Sequence, residues 1–451
     1  MKKCIITKRF RLMALMLSII MLLSLMSPLH ISADAASNKE TIRSYRTISD
    51  DEYYPENYIG YVYPVRPGTS EWAALPDHKA MVEACEIPEV VLTNMSTEAL
   101  FQSILAYPLI VDIFAYDDWN TGLDIVSDNF NGLCAYEDRA DNTEVIVQNY
   151  SELSTNFVNH NSRSNLLDED LASNKSTLDV AYSSSRDVLY SMVMGVLLAD
   201  EAYFSKLCES DYQLLCSSAE KMCITNDQPI LNQISDMELI GGVAEKSTSD
   251  WSYVYRLDYF WYHVNSTPIA GPNNSTVTAY TNVCFERWVC SDGYLRPYTE
   301  RLYADLPTSY KTTINNQMYD VYGINPLSQP TVKYNCHSYA WYQQATTNPY
   351  WIDDISPYLN SGRYSVVGQM NTSVGDRVVY YSSTNHTYSQ PSHSAVITSY
   401  TNITNSQRSF MLKSKWGMAG LYSHSLTNCP YYYGESAEEQ MSFFYDYRFY
   451  S

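Results

Sequence analysis

The spacing of hydrophobic residues changes along this 451-residue chain from a helical to a strand-like pattern. From residue 85 to 224 apolar residues recur every three or four positions, which predicts an all-helical domain. Ser96 is a predicted helix cap, and further helices are expected at 144–153 and 186–207. Acidic residues and polar flanks in the last of these indicate a core helix and not a membrane span.

Strand-like patterns follow. Residues 225–325 are predicted to be a linker and then a β-rich region, because 253–264, 276–281 and 283–290 are rich in Tyr, Val, Thr and Trp. Residues 36–84 are polar and interrupted by proline, so we expect an extended lead-in without a core of its own. Residues 1–35 combine basic residues, an apolar run and a small-residue cleavage site, the pattern of a secretory signal peptide. We therefore expect a secreted, extracellular product that has no membrane association after cleavage.

Residues 326–451 carry the candidate chemistry. Asn335 is a predicted N-cap for a helix at 336–342, which would place the Cys336 thiol at the positive end of the helix dipole and lower its pKa. A turn at Gly375-Asp376 leads into a predicted strand, His393 opens the next one, and residues 410–417 form a third. The order predicts an α+β unit, a helix packed on an antiparallel sheet.

Cys336 and His393 form the candidate catalytic pair, because a thiol nucleophile needs an imidazole to accept its proton. His337 adjoins Cys336 in sequence, but consecutive helical residues point about 100° apart, so a position in the cleft wall is expected for it. The alternative for Cys336 is a disulfide with Cys429. No HExxH or paired CxxC spacing occurs, so neither a metal nor another cofactor is predicted.

This order of motifs resembles the NlpC/P60 and CHAP group of papain-like cysteine peptidases and amidases, over residues 326–451. The resemblance implies hydrolysis of amide bonds, usually in peptidoglycan peptides, with Cys336 as nucleophile and His393 as base. It also implies a third residue that orients the imidazole. Aligning Trp416-Gly417 with the Asn-Ser-Trp-Gly of papain-like enzymes places Ser414 there, and His424 is the other candidate.

Two classes of function follow. The first is a cysteine hydrolase that forms an acyl-enzyme, with the Cys336 backbone N–H and a donor from Gln329 or Tyr334 as the oxyanion hole. An acyl transferase would have the same sequence features and differ only in its acceptor. The second is a non-catalytic extracellular adhesion or interaction protein with a degenerate papain-like domain, which is suggested by the weak third position at Ser414.

Charge and cysteine content limit the partners. The formal charge is −21, and it becomes −25 without residues 1–35, which carry five positive charges and one negative. Such acidity argues against binding nucleic acid or a polyanionic wall through bulk charge, so any contact with the wall must be local. The partner that the resemblance implies is peptidoglycan or a peptide substrate. Removing Cys4 leaves nine of ten cysteines, an odd number that leaves at least one thiol without an intramolecular partner. The sequence does not specify an oligomeric state.

Overall fold

The computed structural model describes residues 43–117, 119–164, 177–208, 259–288, 299–303, 308–384, 387–433 and 443–451, with short pieces at 210–211, 214–215, 218 and 305–306. The predicted signal peptide, the linker before residue 251 and the turn at 291–293 lie outside them. In the part that is described, no helix is both long and apolar enough to cross a membrane.

The first half of the described chain is helical. Four of the described helices begin at a polar side-chain cap; Ser96, for example, accepts a hydrogen bond from the backbone N–H of Ala99, which confirms the predicted cap. A 3-10 helix at Ile110–Ala115 follows the break at Pro108. The α-helices are α1 Asp50–Tyr53, α2 Ser70–Ala73, α3 His78–Ala84, α4 Glu89–Asn94, α5 Thr97–Leu105, α6 Trp119–Asn129, α7 Asn131–Glu137, α8 Asn142–Ser164, α9 Thr177–Ala199 and α10 Glu201–Phe204.

The second half is mainly antiparallel sheet. A three-stranded sheet contains β1 Tyr259–Ala270, β2 Thr276–Trp288 and β3 Thr299–Tyr303, and it is followed by α11 Thr308–Tyr322. Beyond a short α12 at Ser356–Leu359, six strands form a second sheet in the order β4-β9-β5-β6-β7-β8. Those strands are β4 Val366–Val367, β5 Arg377–Thr384, β6 Thr387–Asn402, β7 Arg408–Lys415, β8 Leu421–Ser425 and β9 Phe443–Tyr450.

The fold is therefore α+β, as predicted, and the turn that leads into β5 is also confirmed. Gly375 has φ +96°, a conformation that favours glycine, and its N–H donates to Ile397 O on β6. The pattern at 276–290 predicted two strands, but the structure has one continuous strand, β2. Pairing of β2 with β1 along almost its whole length explains the continuity.

One hydrophobic core joins the two halves. Residues of α5 to α9 pack in the same cluster as Trp416, Tyr422 and Tyr431 from the C-terminal part. The Trp119 indole N–H donates to Met418 Sδ at 2.9 Å across this junction. Consequently, the predicted helical region at 85–224 does not have a core separate from that of residues 326–451.

The lead-in at 36–84 also differs from its prediction. Its described part contains α1 to α3, and Tyr54, Tyr63 and Trp72 are buried in the main core. The Trp72 indole N–H donates to Val321 O at 2.8 Å, which ties the lead-in to α11. Single aromatic residues, not a periodic apolar face, anchor this segment, so hydrophobic spacing did not reveal it.

Candidate active site around Cys336

Cys336 begins a short helix that packs on one face of the six-stranded sheet. Asn335 caps it: its side-chain oxygen accepts the N–H of Ser338 at 3.0 Å, as predicted. The last five residues, Ser338–Tyr342, form a π-helix. Tyr339, Ala340 and Trp341 pack in a second core with Val379 and Val396 of the sheet. This core fixes the position of the helix on the sheet.

The Cys336 thiol is fully buried. Burial raises its pKa well above the usual value, and the Asp117 carboxylate raises it further. The backbone N–H groups of Ser394 and His337 hydrogen-bond to the sulfur and, with the Lys415 ammonium, act in the opposite direction. The sequence analysis predicted that the position of Cys336 at the start of the helix lowers this pKa. In this structure that prediction is wrong, because desolvation of the thiolate outweighs these favourable interactions.

His393 lies on β6 next to Ser394, but its side chain points to the face of the sheet opposite the Cys336 helix. Its strand neighbours Ala395 and Ile397 pack in the main core, whereas Val396 packs with the Cys336 helix. The imidazole stacks on Tyr431, with ring centroids 3.6 Å apart and an interplanar angle of 13°. It is fully buried, and neither ring nitrogen has a hydrogen-bond partner in the part of the chain that the structure describes. The structure therefore places the His393 imidazole on the opposite face of the sheet from the Cys336 helix, and the predicted hydrogen bond between the two residues is not formed.

Ser414 does not orient His393. Its hydroxyl oxygen accepts the Trp416 indole N–H at 3.0 Å and lies 2.7 Å from Nε2 of His424. Because the indole can only donate, the Ser414 hydroxyl hydrogen is available to His424 Nε2, and His424 Nδ1–H donates to Ser425 O. The predicted contact of Ser414 or His424 with the His393 imidazole is absent from the hydrogen bonds of these described residues, since His393 has none.

The same arrangement recurs on the other face of the sheet. The Trp341 indole N–H donates to Ser394 Oγ at 2.9 Å, and Ser394 Oγ lies 2.8 Å from His337 Nδ1. The second nitrogen of His337 hydrogen-bonds to the backbone of Pro391. His337 is therefore buried with both nitrogens engaged, and its expected place in a cleft wall stays a prediction. No sequence motif predicted these two hydrogen-bonded sets of Trp, Ser and His side chains.

The oxyanion donors predicted from the sequence are engaged elsewhere. The Gln329 side-chain oxygen accepts from Asn315 at 2.8 Å, and the Tyr334 hydroxyl lies 3.1 Å from Ser328 Oγ. Sequence reasoning also missed Lys415, which is fully buried and donates to Thr331 O at 2.9 Å and to Gly417 O at 2.6 Å. Lys413 is partly exposed and Lys415 is buried, although both lie on β7, and nothing in the local sequence distinguishes them.

A segment from the helical half covers the site. The Asn335 amide donates to Asp117 Oδ2 at 2.9 Å, and the Tyr116 hydroxyl donates to Pro430 O at 2.7 Å. Tyr431, which stacks on His393, donates to Ala115 O. Gly417 has φ +42°, and a Cβ there would overlap the carbonyl oxygen of Tyr116. The close fit requires glycine at this position, and the nearby Cys336 thiol has no exposed surface.

The predicted disulfide alternative is not formed. Cys336 and Cys429 are both free, as are Cys85 and Cys208, whereas Cys134 is disulfide-bonded. Cys429 Sγ instead lies 3.7 Å from the Tyr380 hydroxyl. Both thiols thus remain available for chemistry, although both are buried.

Three buried imidazoles are expected to make the folded protein less stable as the pH falls. Burial lowers the pKa of His337 and of His424 to about 4 and that of His393 well below its usual value. Because these folded pKa values lie below the unfolded value of about 6.5, their stabilising contribution is present above pH ~6.5 and is lost as the pH falls toward 4. We expect the urea midpoint of unfolding to fall over this range.

His424→Gln provides the control for that titration, since an amide does not ionise. Burial also raises the pKa of Asp320 and Glu137, which acts in the opposite direction over part of the range. The variant isolates the contribution of the His424 imidazole to the pH dependence, so its urea midpoint should fall less steeply between pH 6.5 and 4 than that of the wild type. Equal slopes for both proteins would contradict a neutral, buried His424.

Comparison with known proteins identifies no relative: no protein-family model matches the chain, and no curated protein and no solved structure matches it.

Proposed function

We propose that the protein is a secreted cysteine hydrolase that cleaves amide bonds in peptidoglycan peptides, with Cys336 as nucleophile and His393 as proton acceptor. One observation carries the proposal. The Ser394 and His337 N–H groups both hydrogen-bond to the Cys336 sulfur, and the strand neighbour of Ser394 is His393, a fully buried imidazole that has no hydrogen-bond partner among the described residues. Burying an imidazole without hydrogen-bond partners lowers the stability of the fold, and a catalytic role gives a reason for a histidine at this position.

The proposed reaction uses these groups in order. His393 takes the Cys336 proton, and the thiolate attacks the substrate carbonyl carbon to form a tetrahedral intermediate. The imidazolium returns the proton to the departing amine as the C–N bond breaks, which leaves a thioester. His393 then takes a proton from water, whose oxygen attacks the thioester and releases the carboxylic acid and the thiol. The Cys336 backbone N–H is the proposed oxyanion donor.

In this proposal the structure corresponds to a closed form of the site. Cys336 and His393 have no exposed surface, and residues 115–117 lie against Asn335, Gly417 and Tyr431. The proposed reaction therefore requires this segment to move. It also requires β6 to rearrange at His393, next to the irregular pairing between Tyr380 and Tyr381, because the imidazole faces away from the sulfur. The helical half thus has a proposed covering role in addition to its contribution to the core.

The second candidate is a non-catalytic extracellular interaction protein. It is favoured by the raised pKa of Cys336 and by the absence of a hydrogen bond from His393 to any group in the described part of the chain. An acyl transferase shares the first half of the proposed mechanism and delivers the acyl group to an amine instead of water. The products distinguish all three functions.

The test is incubation of the full mature chain with purified peptidoglycan and with synthetic stem peptides, followed by mass spectrometry of the soluble products. The hydrolase proposal predicts peptides with new carboxyl and amino ends, formed catalytically. Peptides joined to an added amine would identify a transferase. Retention of the protein on the wall without any release of peptides would contradict the proposal and support the interaction protein.

A further inference from the structure

A cavity lies between α9, α11 and the lead-in. It encloses about 420 Å³, counting the solvent at its open mouth, and its lining residues all come from positions 48–320. Arg186 and Tyr190 are four positions apart and share one face of α9, and Gln317 and Asp320 are three apart and share one face of α11. Two helices thus present polar side chains to the same space, which the candidate catalytic pair does not line.

The Arg186 guanidinium is the group in this cavity that lacks partners. Its Nε is buried and has no hydrogen-bond partner among the described residues. Its Nη1 donates one long hydrogen bond, 3.4 Å, to Glu52 O, and no carboxylate in the described part of the chain pairs with it. A guanidinium has five N–H donors, so most of its capacity is unused. A buried donor without a partner calls for an explanation.

The acidic residue of the cavity wall does not supply the missing partner. The two carboxylate oxygens of Asp320 accept from Arg46, at 2.7 Å from Nε and 3.0 Å from Nη2. This two-pronged contact pairs the carboxylate with a different guanidinium. Gln317 also lines the cavity, and its side-chain amide makes no hydrogen bond with the described residues. One positive charge and one amide are therefore available to a ligand.

The remaining wall determines what kind of anion fits. Leu105, Ile110 and Leu189 give it apolar surface, and Tyr53 and Tyr107 add aromatic rings. Ligand pockets commonly combine such walls with a few polar groups that fix the orientation of the ligand. One unpaired guanidinium matches the single charge and the planar shape of a carboxylate. A phosphate ester would leave part of its charge without a partner here.

We propose that this cavity binds a small carboxylate with a compact apolar group: Arg186 binds the carboxylate, Gln317 donates a further hydrogen bond, and the apolar wall holds the remainder. A water molecule could satisfy the Arg186 Nε, but it would leave the positive charge unpaired. The inference is independent of the proposed function. A free aliphatic acid and the carboxyl end of a short peptide share this chemistry.

The experiment is titration of the full chain with butyrate, with N-acetylalanine as a mimic of a peptide carboxyl end, and with neutral butyramide. Saturation-transfer difference NMR gives the Kd of each. Arg186→Gln removes the charge, and both acids should bind about 10–100-fold more weakly. Gln317→Leu should weaken them by about 3–10-fold. Arg363→Gln changes an exposed arginine that does not line the cavity, and it is the matched control without effect.

Binding of an acid but not of butyramide, with the loss in Arg186→Gln, would support the inference, and the tighter acid would identify the source of the carboxylate. If Arg186→Gln fails to fold, Gln317→Leu still tests the same site. Equal binding of butyrate and butyramide, or no binding of either acid at millimolar concentrations, would overturn it. Cys336→Ala should bind the acids with unchanged affinity, so this site and the proposed hydrolase can fail separately.

Discussion

Replacing Asp112 with alanine is expected to lower the free energy of unfolding by about 3–5 kcal/mol, because the change removes one partner of a buried ionisable pair. Asp112 Oδ2 lies 2.8 Å from His78 Nε2, and Oδ1 accepts the Tyr322 hydroxyl at 2.7 Å. His78 also lies 2.9 Å from Tyr432 O through Nδ1. His78 and Asp112 have almost no exposed surface, so water cannot replace the lost partner.

This network joins four parts of the chain: α3, the 3-10 helix, α11 and the loop that carries Tyr431. Its loss should therefore weaken the junction between the helical half and the sheet, and it should also loosen the cover over Cys336. The measurement is urea unfolding followed by tryptophan fluorescence. Iodoacetamide labelling of Cys336 in the same variant should become faster under native conditions.

The matched control is Lys79→Ala on the same helix α3. Lys79 Nζ lies 3.5 Å from Glu83 Oε1, but this pair lies at the surface, with side-chain exposures of 23% and 61%. Exposed pairs of this spacing contribute about 0.3–0.5 kcal/mol, so the urea midpoint should barely change. Equal effects of Asp112→Ala and Lys79→Ala would contradict the structural role given to the buried network.

Cys336→Ala is expected to abolish the release of peptides from the cell wall, because no other group in the proposed mechanism can form the thioester. His393→Ala should retain the nucleophile but lose its proton acceptor, and a reduction of about 10²–10⁴-fold is the usual cost. The measurement is the initial rate of appearance of new amino ends at pH 7.5. A Cys336→Ala protein that still releases peptides at the wild-type rate would contradict the assignment.

Two controls separate chemistry from folding. Cys429→Ala removes the other buried free thiol of the described C-terminal part, which lies next to Tyr380 on the His393 side of the sheet and has no part in the proposed mechanism. His424→Gln removes a buried imidazole but keeps one acceptor and one donor for Ser414 and Ser425. Both variants should keep most of the wild-type rate. Loss of activity in Cys429→Ala equal to that in Cys336→Ala would show that thiol burial, not catalysis, explains the effect.

Local features of the site could be predicted from the sequence because they depend on neighbours along the chain. The Asn335 cap, the glycine turn at Gly375 and the strands β5, β6 and β7 follow from residue types within a few positions. The same is true of the cap at Ser96. Alternation along β6 even places His393 and Ser394 on opposite faces, a consequence of the strand period that the sequence analysis did not draw.

Features that join distant parts of the chain could not be predicted in this way. Asp117 meets Asn335 across 218 positions, and Lys415 meets Thr331 across 84. Periodicity contains no information about such pairs. The direction of the Cys336 pKa shift was wrong for the same reason: the helix start is local, but the burial that outweighs it and the Asp117 carboxylate that adds to it depend on tertiary packing.

The most direct test of the central claim is the pH dependence of iodoacetamide labelling at Cys336 in the unreduced wild-type protein and in His393→Ala. The reagent reports the open form, since only an accessible sulfur reacts. The account predicts an apparent pKa well below the ordinary ~8.5 in the wild type and a large loss of labelling at neutral pH in His393→Ala. Labelling with an apparent pKa of 8.5 or higher that is identical in both proteins would contradict the cysteine hydrolase and favour the interaction protein.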